Sequence, residues 1–180
     1  MSLNSEELEW KLVCLDENIE IKPFESADEE LNDFLLNDAK SYLSSLLAVT
    51  YLIQTKNETI AYFCLANDRV MKDDEERTTW NKINRIIPNE KRQKSHPTVK
   101  IGRLAVSKKY TDLGFGNFII DTVGEMYTKN NQLQSGCRFI TVDAYSNVLR
   151  FYEKNDFKFL TDKDKTSETR AMYFDLKTLN

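Results

Sequence analysis

Apolar and polar positions alternate at Trp10, Leu12 and Cys14 and again at Ile19 and Ile21, which predicts one or two strands between Trp10 and Phe24. Ser26 and Glu29 then read as a capping box, and Leu31, Phe34, Leu35, Ala39 and Tyr42 follow at helical spacing. Leu47 to Thr55 and Thr59 to Ala66 read as a hairpin turning on Lys56-Asn57-Glu58. A polar stretch at 67–97 carries one predicted helix, Asp74 to Ile86, with Trp80, Ile83 and Ile87 on one face and Pro88 as its stop. A β-rich run from Thr98 ends at Val106. The clearest helix, Gly114 to Lys129, follows, with Phe115, Phe118, Ile119, Thr122, Val123, Met126 and Tyr127 on its buried face. Arg138 to Tyr145 (strand), Asn147 to Lys154 (helix), Phe157 to Leu160 (strand) and Arg170 to Leu176 (strand) complete the chain. The order is β-α-β-β-β-α-β-α-β-β, with no internal repeat.

The junction between the central strand and the clearest helix carries the chemistry. Gly114 and Gly116 sit where the helix opens. The first N–H groups of a helix have no partner inside it, and the helix dipole adds partial positive charge there. Glycines let a phosphate come close to such a backbone. The pattern points to a phosphorylated ligand held by main chain. It is not a dinucleotide fingerprint, because Ile119 stands where the third glycine belongs. Nor is it a nucleotidase phosphate loop, which needs Gly-Lys-Ser/Thr.

Composition adds bounds. A chain of 180 residues suffices for one domain with a real core, and 41% hydrophobic with 30% charged residues is ordinary for a globular protein. No apolar run approaches a membrane span, and the first residues, MSLNSEELEWK, lack a signal-peptide core, so no membrane partner is expected. The three cysteines, Cys14, Cys64 and Cys137, show neither metal nor disulfide spacing. A reducing, cytoplasmic compartment fits this usage. The single histidine, His96, precedes Pro97 and reads as a solvated loop residue; no metal site is expected. The net charge of −4 demands no nucleic acid. It is unevenly spread, however. Arg85, Lys91, Arg92, Lys94, Lys100, Arg103, Lys108 and Lys109 are opposed locally by Glu90 alone. That stretch reads either as a solvated face or as a basic rim for the phosphates of a cofactor or an RNA.

Two segments carry a resemblance. Leu104-Ala105-Val106, Gly114 and Gly116 resemble motif A of the GCN5-related N-acetyltransferase (GNAT) superfamily, with Thr111 where the family usually has Arg or Gln. Downstream, RFITVDAYSNVLRFYEKNDFKFL (138–160) resembles motif B, with Phe151-Tyr152-Glu153-Lys154 at its centre. Asp156 stands where the family has glycine, a position suited to a left-handed turn. In the first half, Phe24, the helix Glu30-Leu31-Asn32-Asp33-Phe34-Leu35, Ala39 and the strand Gly102 to Val106 resemble the GNAT branch that includes toxin-type acetyltransferases of toxin–antitoxin pairs.

The resemblance implies a GNAT fold: an α/β (α+β) domain with a mixed central sheet of about six to seven strands, splayed in the middle and flanked by helices. It implies a single domain over 1–180 with a polar helical insertion at about 67–97. It implies acetyl-CoA as cosubstrate, with Leu104, Ala105 and Val106 bonding the pantetheine amides and Asp112, Leu113, Gly114, Phe115, Gly116 and Asn117 holding the pyrophosphate. Core packing is an equally natural role for the side chains of Leu104 and Val106. Asn147 is a further pantetheine contact or a plain helix cap. Tyr152 is the candidate general acid for the departing thiolate, since a phenol with a pKa near 10 is protonated at neutral pH; packing against Val148 and Phe151 is its structural alternative.

No general base declares itself. Arg103, the residue that alternation aims at the acceptor, cannot be one, but it could anchor a carboxylate or phosphate on the acceptor. The acceptor itself is open. A primary amine of a small molecule or a protein is the first reading. The amino group of an aminoacyl-tRNA, with an antitoxin protein as partner, is the second. A non-catalytic acyl-CoA-binding module is the third. A homodimer is also open.

Overall fold

The computed structural model describes residues 8–72, 77–87, 94–129 and 135–179. The strands are β1 (Lys11–Cys14), β2 (Val49–Gln54), β3 (Thr59–Met71), β4 (Ser95–Val106), β5 (Phe139–Tyr145), β6 (Lys158–Phe159) and β7 (Thr169–Asp175). They form a seven-stranded mixed sheet in the order β1-β2-β3-β4-β5-β7-β6. The helices are α1 (Glu29–Asp33), α2 (Ala39–Ser44), α3 (Arg77–Asn84), α4 (Phe115–Thr128) and α5 (Leu149–Lys154). The chain divides into two compact units, 1–66 with 101–122, and 67–100 with 123–180.

In the first unit β1, β2 and β3 form an antiparallel meander, with Leu12 opposite Ile53 and Leu52 opposite Tyr62. The expected hairpin at 56–58 is present. The expected second strand near Ile19 and Ile21 is not formed. The Asp16 carboxylate accepts from the N–H groups of Asn18 and Ile19, at 2.7 and 2.8 Å, and this local turn competes with a strand. The expected capping box also differs. Asp28 caps α1, accepting from Glu30 N–H at 2.9 Å, while the Ser26 hydroxyl donates to Asn32 Oδ1 at 2.8 Å. Phe24, Phe34, Leu35, Ala39, Leu52, Tyr62, Cys64 and Ala105 are the core of this unit. Between α1 and α2 the chain widens into a π-helical turn, Phe34–Asp38, in which Ala39 N–H donates five residues back to Phe34 O.

In the second unit β5 pairs with β7 along its whole length, from Phe139↔Asp175 to Tyr145↔Thr169. The parallel β4–β5 ladder is short, covering only Thr98↔Phe139, Val99↔Ile140 and Lys100↔Thr141. β3 runs on through Met71 and β4 starts at Ser95, so strand occupies both ends of the stretch read as a polar insertion. Its helix is α3, with Trp80 and Ile83 buried and Ile87 packed beside them; Asp74 and Pro88 lie outside the described residues.

His96 departs most from expectation. It is buried in β4 at 2% exposure rather than solvated, because the strand alternation extends upstream and turns His96 and Thr98 inward while Pro97 faces out. Its ring stacks on Trp80 of α3 at 4.8 Å, meets Phe139 edge-on at 6.0 Å, and bonds Asn84 Oδ1 through Nε2 at 3.0 Å. Burial, then the nearby Arg138 charge, hold its pKa below the ordinary value. The unfolded chain therefore takes up the proton first. The stability His96 contributes is complete above about pH 6.5 and is lost as pH falls through the lower folded value. The thermal midpoint is expected to fall on moving from pH 7.5 to 5, and His96→Asn should flatten the part of that slope due to this residue. An unaltered slope in His96→Asn would assign the acid sensitivity to carboxylates.

Candidate active site

In the first unit, β4 delivers Leu104 and Val106 half-buried and Ala105 buried at the end of the strand. Beyond Lys100 no β4–β5 ladder is formed among the described residues. On leaving the strand, Ser107 N–H donates to Ile60 O at 2.8 Å, and a single 3₁₀ turn, Lys108–Tyr110, follows. Tyr110 is buried and donates its hydroxyl to Glu58 at 2.7 Å, which fixes the turn from beneath. Thr111, at the position where the resembled motif has a long polar side chain, directs its hydroxyl back to Ser107 O and Lys108 O, at 3.4 and 3.2 Å. Its side chain is therefore spent on the turn.

Asp112 and Gly114 both take left-handed backbone conformations, with φ of 68° and 84°. These two reversals swing the chain into α4. A Cβ added at Gly114 would meet nothing within 4 Å, so the glycine is required by its φ, and the space above it is open. Phe115 is buried against Trp10 and Tyr110, at centroid distances of 5.9 and 6.3 Å, and anchors the first turn of α4. The first in-helix bond is Phe118 N–H to Gly114 O, at 3.0 Å. The N–H groups ahead of it, at Phe115 and Gly116, have no acceptor inside the helix. Leu113 is half-buried, Gly116 is half-buried, and Asn117 is exposed. An open approach over Gly114 at a helix start suits an anionic ligand.

In the second unit, Asn147 lies exposed in the turn between β5 and α5. It is not the helix cap, since α5 begins at Leu149 behind Val148. Tyr152 is buried at 6% exposure. Its ring packs edge-on against Phe151 at 5.0 Å and Phe157 at 5.2 Å, while Val148 is exposed. Among the described residues no hydrogen bond reaches its hydroxyl, and burial pushes its pKa well above the ordinary phenol value. Asp156 closes α5 at φ 62°, the left-handed residue expected there, and Phe157 N–H donates to Tyr152 O at 3.0 Å.

Four of the eight basic residues between Arg85 and Lys109 are opposed by acids. Lys100 pairs with Asp143, Arg103 with Glu30 at 3.3 Å, Lys108 with Glu25 at 2.8 Å and Lys109 with Glu58 at 2.5 Å. The acids come from elements distant in sequence, so a local charge count could not find them. Lys94 is exposed, and Lys91 and Arg92 lie outside the described residues.

The fold can be placed among solved structures. AtaT complexed with acetyl-methionyl-tRNAfMet superposes with a TM-score of 0.75 at 17% identity, over 95% of this chain and 97% of that one. The chain has the GNAT fold. A tyrosine-to-phenylalanine mutant of the AtaT toxin, bound to the C-terminus of the antitoxin AtaR and acetyl-CoA, shares the GNAT fold at TM-score 0.74 and 17% identity over 95% and 96% of the two chains. A mutant of KacT does so at 0.73 and 19% over 94% and 96%. No protein-family model matches the sequence, and no curated protein matches it. The GNAT fold accounts for the element order read from the sequence.

Proposed function

We propose that the protein is an acetyl-CoA-dependent N-acetyltransferase whose acceptor is the amino group of an aminoacyl-tRNA. The observation that carries this reading is the agreement of fold, over nearly the full length of both chains, with a toxin solved together with acetyl-methionyl-tRNA. An antitoxin protein is proposed as partner on the same footing, from the AtaT–AtaR complex.

In this reading the main chain of Gly114, Phe115, Gly116 and Asn117 holds the pyrophosphate, helped by the turn at Asp112 and Leu113. The β4 amides at Leu104, Ala105 and Val106 align the pantetheine arm, and Asn147 is a second polar contact to it. Bound acetyl-CoA supplies an activated acyl group as a thioester. The acceptor nitrogen must be neutral, forms the new C–N bond and releases a proton as the C–S bond breaks. Tyr152 directs its phenolic O–H at the departing sulfur. The phenol's pKa lies above 10 and a thiol's near 8.5, so complete transfer alone is uphill. The hydroxyl therefore works as a hydrogen-bond donor that shares its proton while sulfur charge develops. The proton released by the amine restores the balance.

A second reading, a small-molecule or protein amine as acceptor, is favoured by the pairing of Lys100, Arg103, Lys108 and Lys109 with acids and by the net charge of −4. A mobility-shift series with charged tRNA separates the two. The aminoacyl-tRNA reading expects binding that weakens steeply between about 50 and 200 mM salt. No shift even at the lowest salt would transfer the acceptor to the second reading.

A further inference from the structure

Arg103 is held in an unusual way. It leaves β4 half-buried, and its guanidinium carbon lies 4.2 Å from the ring centre of Phe34 and 5.9 Å from that of Tyr42. Both rings come from the segment around the π-helical turn, and they meet edge-on at 5.2 Å. Such a cation–π contact fixes the plane of the guanidinium without using any of its N–H groups.

Those donors are poorly served. Nη2 reaches Glu30 Oε1 at 3.3 Å, long for a charge-assisted bond, and the Glu30 side chain is 61% exposed. Nε is buried and has no hydrogen-bond partner. The Cys64 thiol is hydrogen-bonded to the guanidinium; burial raises its pKa, and the Arg103 charge and that bond pull it back. A thiol is a weak acceptor, so it does not replace an oxygen there. A buried N–H left unpaired is unfavourable and rare in folded proteins. Here it belongs to a fork that binds planar or tetrahedral oxyanions through two donors at once.

We propose that Arg103 is the anchor for an oxyanion carried by the acceptor, and that Glu30 is an internal stand-in which this oxyanion displaces. Arg103 as an acceptor contact rests on the acetyltransferase reading; the displaced carboxylate does not. The rings of Phe34 and Tyr42 hold the fork in place whether or not Glu30 is engaged. An incoming phosphate or carboxylate satisfies Nη2 and Nε together, in competition with the long contact from Glu30. Arg103 is thus a positioning and specificity residue. It selects amines that carry a negative group close to the nucleophile.

The test uses three amines of similar length with coenzyme A at saturation: O-phosphoethanolamine, β-alanine and propylamine. Binding is read by nuclear magnetic resonance titration in wild type, Arg103→Gln, Arg103→Lys and Glu30→Gln. Glu29→Gln serves as control, since it removes a neighbouring first-turn charge of α1. Arg103→Gln should weaken the anionic amines by about tenfold or more and leave propylamine unchanged. Arg103→Lys, which keeps the charge and loses the fork, should fall between. Glu30→Gln should tighten the anionic amines by about threefold, whereas Glu29→Gln should not.

Stronger binding of the phosphate probe than of β-alanine identifies a phosphate-bearing acceptor, and the reverse a carboxylate-bearing one. Equal losses for charged and neutral amines in Arg103→Gln would reduce Arg103 to a packing residue. Unchanged anion binding in Glu30→Gln would remove the stand-in. Each result is read from binding alone. A protein that binds these amines as described but transfers no acetyl group would keep the anchor and lose the acetyltransferase reading.

Discussion

Tyr152→Phe is expected to lower turnover by about 10²-fold or more while acetyl-CoA affinity stays near that of the wild type. The substitution removes one oxygen and keeps the ring, so the contacts with Phe151 and Phe157 persist. Among the described residues no hydrogen bond to the hydroxyl is lost, and the thermal midpoint should hardly move. That combination separates chemistry from packing. If the ring alone matters, turnover and midpoint both stay at the wild-type level, and the proton for the departing sulfur comes from water. Initial rates with saturating acetyl-CoA, read beside a melt of the same preparation, decide between them.

Gly114→Glu is expected to abolish the stabilisation that acetyl-CoA confers. A ligand at about 100 times its dissociation constant adds about 2.7 kcal/mol to the folded state by mass action. The substitution acts twice. It places an L-residue at φ 84°, which costs about 1–2 kcal/mol, and it sends a carboxylate into the open approach that the phosphates need. Gly114→Ala isolates the first effect: the apo midpoint should drop, but acetyl-CoA should still raise it. Gly116→Glu, two residues on in the first turn of α4, should behave like Gly114→Glu. A full acetyl-CoA shift in both glutamate variants would remove the pyrophosphate site from this loop. Stabilisation of the wild type by ATP or a nicotinamide nucleotide, but not by coenzyme A, would remove the cofactor itself.

Much of the fold was legible because local signals agreed with tertiary ones. The α4 pattern of Phe115, Phe118, Ile119 and Val123 has one period over its whole length, and its start is marked by Gly114, whose backbone is left-handed. Asp156 announced its left-handed turn by residue type and position. What stayed hidden depended on partners remote in sequence. His96 beside Pro97 has the composition of a loop, yet it continues the β4 alternation inward and Trp80 of α3 stacks on it. The Ser26 capping signal was real as a pattern, yet Asp28 lay two residues closer to the helix and took the role.

The site divides in the same way. The left-handed turn at Gly114 that underlies the proposed cradle was visible, since such a position ahead of a helix start is written in glycine. Arg103 was visible as a candidate but its setting was not: neither Phe34 over the guanidinium nor the unpaired Nε has a sequence signature. A charge count along the chain could not separate the two readings of the basic stretch. Its opposing carboxylates, Glu25, Glu30, Glu58 and Asp143, are supplied by other elements.

Transfer of an acetyl group to the amino group of an aminoacyl-tRNA is the proposed reaction. The most direct measurement supplies radiolabelled acetyl-CoA to the purified protein with charged tRNA, uncharged tRNA, a peptide mixture and a panel of small amines. The predicted result is label on the charged tRNA, released with the amino acid by mild alkali, and none on uncharged tRNA. Label on peptides or small amines with charged tRNA left clean would contradict the proposed acceptor, and no labelled product from any of them would contradict the enzyme.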